Sequence, residues 1–279
     1  MADSSRATLA ALAASLKKVG IRSLYLSTNS LDIINKTQMP GKSKSKPVQP
    51  TPPEKPGVSS AASKVGSQST AAAQPFIRAY PAADPGRSEE NRKKLAALEK
   101  PLHSCQACRL GENRTNLVYG VGSPVAALMF VGEGPGAEED RKGEPFVGRA
   151  GQLLTEMITK GLRIRREDVY IANVVKCRPP ENRTPLDDEI EACSPNLFKQ
   201  IEIIQPQVIV TLGAVAAKTV LQSREGLTRI RGTWKKFGSI PVMPTYHPAY
   251  LLRNPNAKRD VWEDLKKVIA FFNGEEEQS

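Results

Sequence analysis

The second half of the chain alternates between short apolar runs and longer amphipathic ones. ALMFVGE (127–133) is a continuous apolar run closed by glycine, and DVYIANVV (168–175), QVIVTLG (207–213) and PVMPTYH (241–247) repeat the pattern. Runs of this length bounded by turn residues predict buried strands. Between them, apolar positions recur at helical spacing in AGQLLTEMITKGL, capped by Gly161, in PLDDEIEACSPNLFKQIEII, in AVAAKTVLQ and in AKRDVWEDLKKVIAFFN. Strands separated by helices predict an α/β fold, doubly wound, with a mostly parallel four-stranded sheet flanked by helices. In such sheets ligands bind beyond the carboxyl ends of the strands. That rule singles out three loops, beginning at Gly132, Asn173 and Tyr246.

The first hundred residues read differently. Residues 5–19 have an Ala/Leu face and predict one short helix stopped by Gly20, within a helical segment 1–34. From 35 to 87 the chain is Pro, Ser, Lys, Gln and Ala, too poor in apolar surface to offset its ordering entropy, which predicts a disordered linker. A helix over 88–101 leads into a domain spanning 88–273, followed by an acidic tail, 274–279. No apolar run approaches the roughly 20 residues of a membrane helix. The expectation is therefore a soluble cytoplasmic protein, nucleoid-associated in a prokaryote. The Ala/Leu stretch precedes its lysines, the wrong order for a secretory signal; the Ser and basic content of 5–29 leaves an organellar transit peptide as the alternative.

The formal charge of +11 points to a polyanionic partner. Its distribution sharpens this: residues 1–103 carry 16 Lys/Arg against 7 Asp/Glu, and residues 104–279 carry 24 against 22. The folded domain is nearly neutral, which argues against a purely electrostatic nucleic-acid binder.

Four cysteines occur as Cys105-x2-Cys108 and, 68 residues later, Cys177-x15-Cys193. Four thiolates can hold a tetrahedral zinc or a cubane iron–sulfur cluster. Unrelated buried thiols are the plain alternative, and disulfides fit poorly in a chain that is not a small secreted domain.

The first loop, GEGPGAEEDRKGEPFVGRAG (132–151), has glycines that let the backbone approach a ligand. It lacks the Gly-Lys-Ser/Thr of a Walker A loop, and its acids would repel phosphate. Phe146 is either a stacking platform for a planar ligand or core packing. Asn173 ends a strand, where its amide offers one acceptor and two donors to an imide edge such as that of uracil, or else caps a turn. His247, fixed by Pro248 past a strand end, is either structural or catalytic. Leu251, Leu252 and Arg253 make an apolar tip beside a cation, suited to wedging into a base stack. Packing on the final helix is the alternative, favoured for Leu252.

Taken together, GEGPGAEED with PFVGRAG, NVVKCRPPENRTP, HPAYLLR and the cysteine spacing closely resemble the family 4 uracil-DNA glycosylases, the iron–sulfur branch of that superfamily. The resemblance covers about residues 100–273. A sister branch carries a basic insertion ending in His after the middle strand; CRPPENRTP has no His there. The resemblance implies a [4Fe–4S] cluster held by Cys105, Cys108, Cys177 and Cys193 with a structural role. It implies a monofunctional hydrolase, without lyase activity, that flips uridine from double- or single-stranded DNA and leaves an abasic site. Phe146 would stack on the base, Asn173 would read its edge, and Glu139 would stand near C5. His247 would donate to O2, helped by amides around Gly132 and Gly134, and Glu133 would orient water or stabilise the sugar cation. Leu251 and Arg253 would form the wedge. A non-catalytic iron–sulfur nucleic-acid binder of the same fold is the alternative; a zinc-stabilised nucleotide module lacks a phosphate loop. The protein is expected to be a monomer, with residues 1–34 available to a repair or replication partner.

Overall fold

In the computed structural model, residues 76–275 are described. The N-terminal helix expected over 5–19, most of the linker and the end of the acidic tail lie outside them.

The four apolar runs form four adjacent parallel strands. These are β2 (Leu128–Gly132), β3 (Tyr170–Asn173), β4 (Val208–Leu212) and β6 (Ile240–Thr245). Two short antiparallel strands, β1 (Val121–Gly122) and β5 (Lys235–Phe237), complete a six-stranded mixed sheet in the order β1-β3-β2-β4-β6-β5. The central strands are buried on both faces, hence their unbroken apolar sequence. The edges are two and three residues long with little apolar content, so no periodicity marked them.

Helices cover both faces. On one side lie α3 (Arg149–Glu156), α6 (Pro248–Arg253) and α7 (Lys258–Asn273), enclosing Phe130, Leu154, Ile158 and Leu265. On the other lie α1 (Pro85–Glu99), α4 (Asp187–Ile204) and α5 (Ala214–Leu221), enclosing Met129, Val131, Leu197 and Val220. Burying one such side chain contributes roughly 1.5–3 kcal/mol. The helix α2 (Ala137–Lys142) stands in the loop after β2. The chain passes from β2 to β3 on one side, then crosses to β4 on the other. This reversal opens a crevice at the carboxyl ends of the parallel strands.

Three boundaries differ from expectation. The helix of residues 149–162 does not stop at Gly161: it continues as a π-helical stretch, Met157–Leu162, and turns at Arg163 with φ 59°. Gly161 instead allows Trp262 to approach its backbone. Helix α1 begins at Pro85, where Asp84 accepts from the amides of Gly86 and Arg87 at 2.9 and 3.1 Å.

The end of the predicted linker is also part of the domain. Ile77 is buried and its amide donates to Leu162, while the Tyr80 hydroxyl accepts from the Leu128 amide at 2.8 Å and donates to Asp168 O. Two anchoring side chains in a polar stretch are too few to show as periodicity. Replacing Tyr80 with Phe leaves the Leu128 amide at the start of β2 unpaired and is expected to cost about 1–3 kcal/mol, read as a lower urea midpoint at unchanged slope. An unchanged midpoint would show that residues 76–84 do not belong to the cooperative unit.

Candidate functional site

A cavity of ≈ 480 Å³ opens at the carboxyl ends of β2, β3 and β6. The three loops picked out by the strand rule all contribute to it: Glu133, Gly134 and Glu139 from the first, Asn173 from the second, His247 and Arg253 from the third.

Asn173 is the last residue of β3 and only 1% exposed, and its Oδ1 is buried without a hydrogen-bond partner. Buried acceptors are almost always paired, so an orphan at a cavity wall marks where a ligand N–H belongs. Gly132, its register neighbour on β2, is tied to this strand end by Val174, whose amide donates to Gly132 O at 2.9 Å. A side chain at Gly132 would collide with both the Asn173 amide and the Phe146 ring.

Phe146 is 6% exposed and serves both as core and as cavity wall. Its φ of 55° is left-handed, a conformation that costs a bulky residue about 1–3 kcal/mol. Several contacts hold it. Arg166 donates to the carbonyls of Pro145 and Phe146 at 2.8 and 3.2 Å, and Gly151 presses against the Phe146 backbone.

Glu139 fastens the same turn. Its carboxylate accepts from Val147 and Gly148 at 3.0 and 2.8 Å and from Gly136 at 3.2 Å. Glu139 is expected near C5 of the base, and its carboxylate lines the cavity, held in place by the two glycine turns. Its neighbours are committed too. Asp140 is buried and accepts from Thr115 and Asn116, and Glu138 pairs with Arg141.

His247 caps α6, its Nδ1 accepting from the Ala249 amide at 3.1 Å. Because an amide can only donate, the imidazole proton lies on Nε2. Burial first and Arg253 second lower the His247 pKa to about 4, with Glu139 opposing. The ring is therefore a neutral donor at physiological pH, 5.5 Å from the Phe146 ring. Gly213, with φ 94°, leaves room for it. Burial raises the Glu133 pKa, with the Thr184 side chain opposing.

This arrangement can grip a planar imide against an aromatic wall and donate a hydrogen bond to an oxygen gaining negative charge. A profile of the "Uracil DNA glycosylase superfamily" matches residues 119–266, which include the whole cavity. The chain belongs to the uracil-DNA glycosylase superfamily. It is similar to the "Type-4 uracil-DNA glycosylase" of Thermotoga maritima, 52% identical over 187 residues covering 65% of this chain and 96% of that protein. A protein of the same description from Sulfurisphaera tokodaii is 50% identical over 182 residues, 62% of this chain and 83% of that one.

The glycosylase wedge was expected at Leu251 and Arg253, and half of this is corrected. Leu251 is 1% exposed and packs in the core, because α6 places positions 248 and 251 on its inner face. The exposed apolar residues here are Leu252 at 38% and Tyr250 at 39%, beside an exposed Arg253. Tyr250 lines the cavity and contacts Tyr246, with ring centroids 4.9 Å apart. Sequence reasoning missed Tyr250. It also missed Arg166, Thr184 and the buried Lys176, whose roles depend on distant chain segments.

The four thiols line one small cavity on the opposite side of the Asn173 loop. All four are free, with Cys177 buried and the others partly so. Burial raises the pKa of Cys177 and of Cys193; Arg114 opposes at the first and Lys176 at the second. Two N–H groups point at sulfur: Arg114 donates to Cys177 Sγ at 3.1 Å, and the Lys176 amide donates to Cys193 Sγ at 3.4 Å. Among the described residues no three His, Cys, Asp or Glu side chains form a group that could hold a metal ion. A cubane asks for something looser, since each thiolate takes a different iron. Four free thiols around an apolar cavity, with N–H donors aimed at sulfur, fit that donor set. Among the described residues no helix is long and apolar enough to cross a membrane.

The depressed His247 pKa has a consequence for stability. Between its ordinary value of 6.5 and the folded value of about 4, the unfolded chain binds the proton and the folded chain does not. The contribution is therefore full above pH 6.5 and is lost as pH falls towards 4. H247Q is expected to flatten the unfolding free energy across that window in urea titrations. An unchanged slope would show that His247 is not held neutral.

Proposed function

We propose that this chain excises uracil from DNA, hydrolysing the N-glycosidic bond to leave an abasic site. The observation that carries the reading is the orphaned Asn173 Oδ1 facing a cavity walled by Phe146. Uracil meets this site on three counts. Its ring stacks on Phe146, with base–aromatic stacking contributing roughly 1–3 kcal/mol. Its N3–H fills the vacant Asn173 acceptor while the amide nitrogen donates to O4. Cytosine presents an acceptor at N3 and an amine at C4, so both contacts turn repulsive.

A glycosidic bond is inaccessible inside the duplex, so the nucleotide is flipped into the cavity. Leu252 fits the vacated stack, and Arg253 fits the adjacent phosphates. As the N1–C1′ bond breaks, the bonding electrons leave with uracil and charge collects at O2. Neutral His247 donates from Nε2 to this oxygen, alongside amides near Gly132 and Gly134. Because His247 and Asn173 are preorganised in a partly dehydrated cavity, their dipoles need no reorganisation in the transition state. Glu133 orients the water that adds to C1′ and accepts its proton. No lysine amine is required, so the product is an intact abasic strand without lyase cleavage. Together the residues favour this reading over a non-catalytic binder, which would have no use for a neutral, oriented imidazole.

Cys105, Cys108, Cys177 and Cys193 would hold a [4Fe–4S] cluster. Bound there, it supplies a cross-link joining the residue 105–108 turn to the Asn173 loop and α4, not chemistry at the base. Both double- and single-stranded uracil DNA suit a site that reads one extruded base.

The test incubates protein carrying its metal centre with a uracil oligonucleotide and cleaves abasic sites with alkali. Wild type should yield alkali-dependent cleavage, and H247A should lose about 10²–10³-fold in single-turnover rate, the magnitude for one oxyanion donor. No cleavage by loaded wild type would defeat the proposal.

A further inference from the structure

Lys176 has no part in the reaction above, yet it is 1% exposed and among the largest fully buried side chains. The residue lines the thiol cavity and reaches the strand end that carries Asn173. Its Nζ donates to the Asn173 main-chain carbonyl at 2.8 Å and to Gln200 Oε1 at 2.6 Å. The ammonium also lies 5.9 Å from the centre of the Tyr119 ring. Gln200 is anchored in turn, donating to Tyr119 O at 3.1 Å and the Tyr170 hydroxyl at 3.2 Å. Each partner of the ammonium is neutral. The Lys176 amide donates to Cys193 Sγ at 3.4 Å, which sets the residue against the thiol cavity.

A buried ammonium without a carboxylate is costly, because a charge taken out of water needs an opposite charge nearby. The adjacent cavity holds four thiols that can supply one once they bind a metal centre as thiolates. A cubane with four thiolates carries net negative charge, and the ammonium beside it is its natural complement.

We infer that Lys176 is a positioning residue that serves as counter-charge to the thiolate-bound centre and pins the base-reading end of β3. Through this one side chain the metal centre and the uracil pocket are joined. The Asn173 carbonyl is held from inside the fold, and its side chain is thereby turned to the cavity. Gln200 keeps the ammonium at the junction without neutralising it, which a carboxylate would do. The counter-charge role rests on the iron–sulfur reading of the thiol cavity given above; the grip on Asn173 does not.

Two variants separate the roles. Lys176→Met keeps the apolar stem and removes both the charge and the grip on Asn173. Gln200→Glu keeps an acceptor for the ammonium that grips Asn173 and supplies a carboxylate of its own, giving up the donation to Tyr119 O. Each is purified anaerobically and compared with wild type for absorbance near 400 nm, midpoint potential and rate of bleaching in air. Single-turnover excision of uracil and cytosine is measured on the same preparations.

Removing a positive charge disfavours adding an electron to the centre and favours losing one. Both variants should therefore show a lower midpoint potential and faster bleaching than wild type. Only K176M should also lose about tenfold in uracil kcat/KM, equivalent to 1.4 kcal/mol, with a smaller preference for uracil over cytosine. If K176M fails to load, Q200E alone decides the counter-charge role, and an unshifted potential in it overturns the inference. Loaded K176M with wild-type potential and wild-type base preference overturns both roles. A wild type that is colourless and holds zinc overturns the cluster reading and the counter-charge role with it. The grip on Asn173 then stands or falls on base preference in K176M.

Discussion

The structure turns on a close approach at the carboxyl ends of β2 and β3. The Gly132 backbone, the Asn173 amide and the Phe146 ring occupy a space that admits no further atom. Phe146 can stand there only in a left-handed conformation that a bulky residue avoids. That conformation persists because the Glu139 carboxylate and the Arg166 guanidinium hold the backbone on either side of it. The strain is of the order of a few kcal/mol at most, and those charged contacts together with core burial of the ring offset it. A flat aromatic wall thus faces an orphaned amide oxygen, and both are fixed before any ligand arrives.

Electrostatics follow from the same enclosure. Burial makes the imidazolium form of His247 unfavourable and pushes the Glu133 carboxyl towards its neutral form. The two shifts act in opposite chemical senses. The imidazole stays neutral across physiological pH, while the carboxylate becomes a better proton acceptor. A hydrolysis with an anionic leaving group needs a donor at the base and an acceptor at the water. The nearly neutral charge of the folded domain is compatible with this, because a flipped base held in a pocket lessens the need for a broad cationic face.

Much of this was legible in the sequence because it is written in contiguous segments. The parallel strands are unbroken apolar runs, and the strand-end rule led to Gly132, Asn173 and His247 without knowledge of the contacts. What escaped depends on partners far away in the chain. What holds Glu139 at the cavity, its three amide partners, is invisible until the loop is folded. Leu251 and Leu252 are neighbours of equal hydrophobicity, and only the start of α6 decides which faces inward. Tyr80 anchors a polar stretch through two hydrogen bonds that leave no periodic trace. Lys176 sits beside Cys177 in sequence, yet its meaning comes from Gln200 on α4.

The central claim is that Asn173 reads the edge of uracil in a pocket preformed around Phe146. Its most direct test is single-turnover excision of uracil and of cytosine, in otherwise identical oligonucleotides, by wild type and by N173D with enzyme in excess. The carboxylate of the variant can accept from the cytosine amine but cannot donate to uracil O4. Wild type should release uracil and leave cytosine intact, whereas N173D should lose uracil excision by two orders of magnitude, about 2.7 kcal/mol, and reverse the order of preference. Wild-type release of uracil by N173D, with cytosine still refused, would contradict the account.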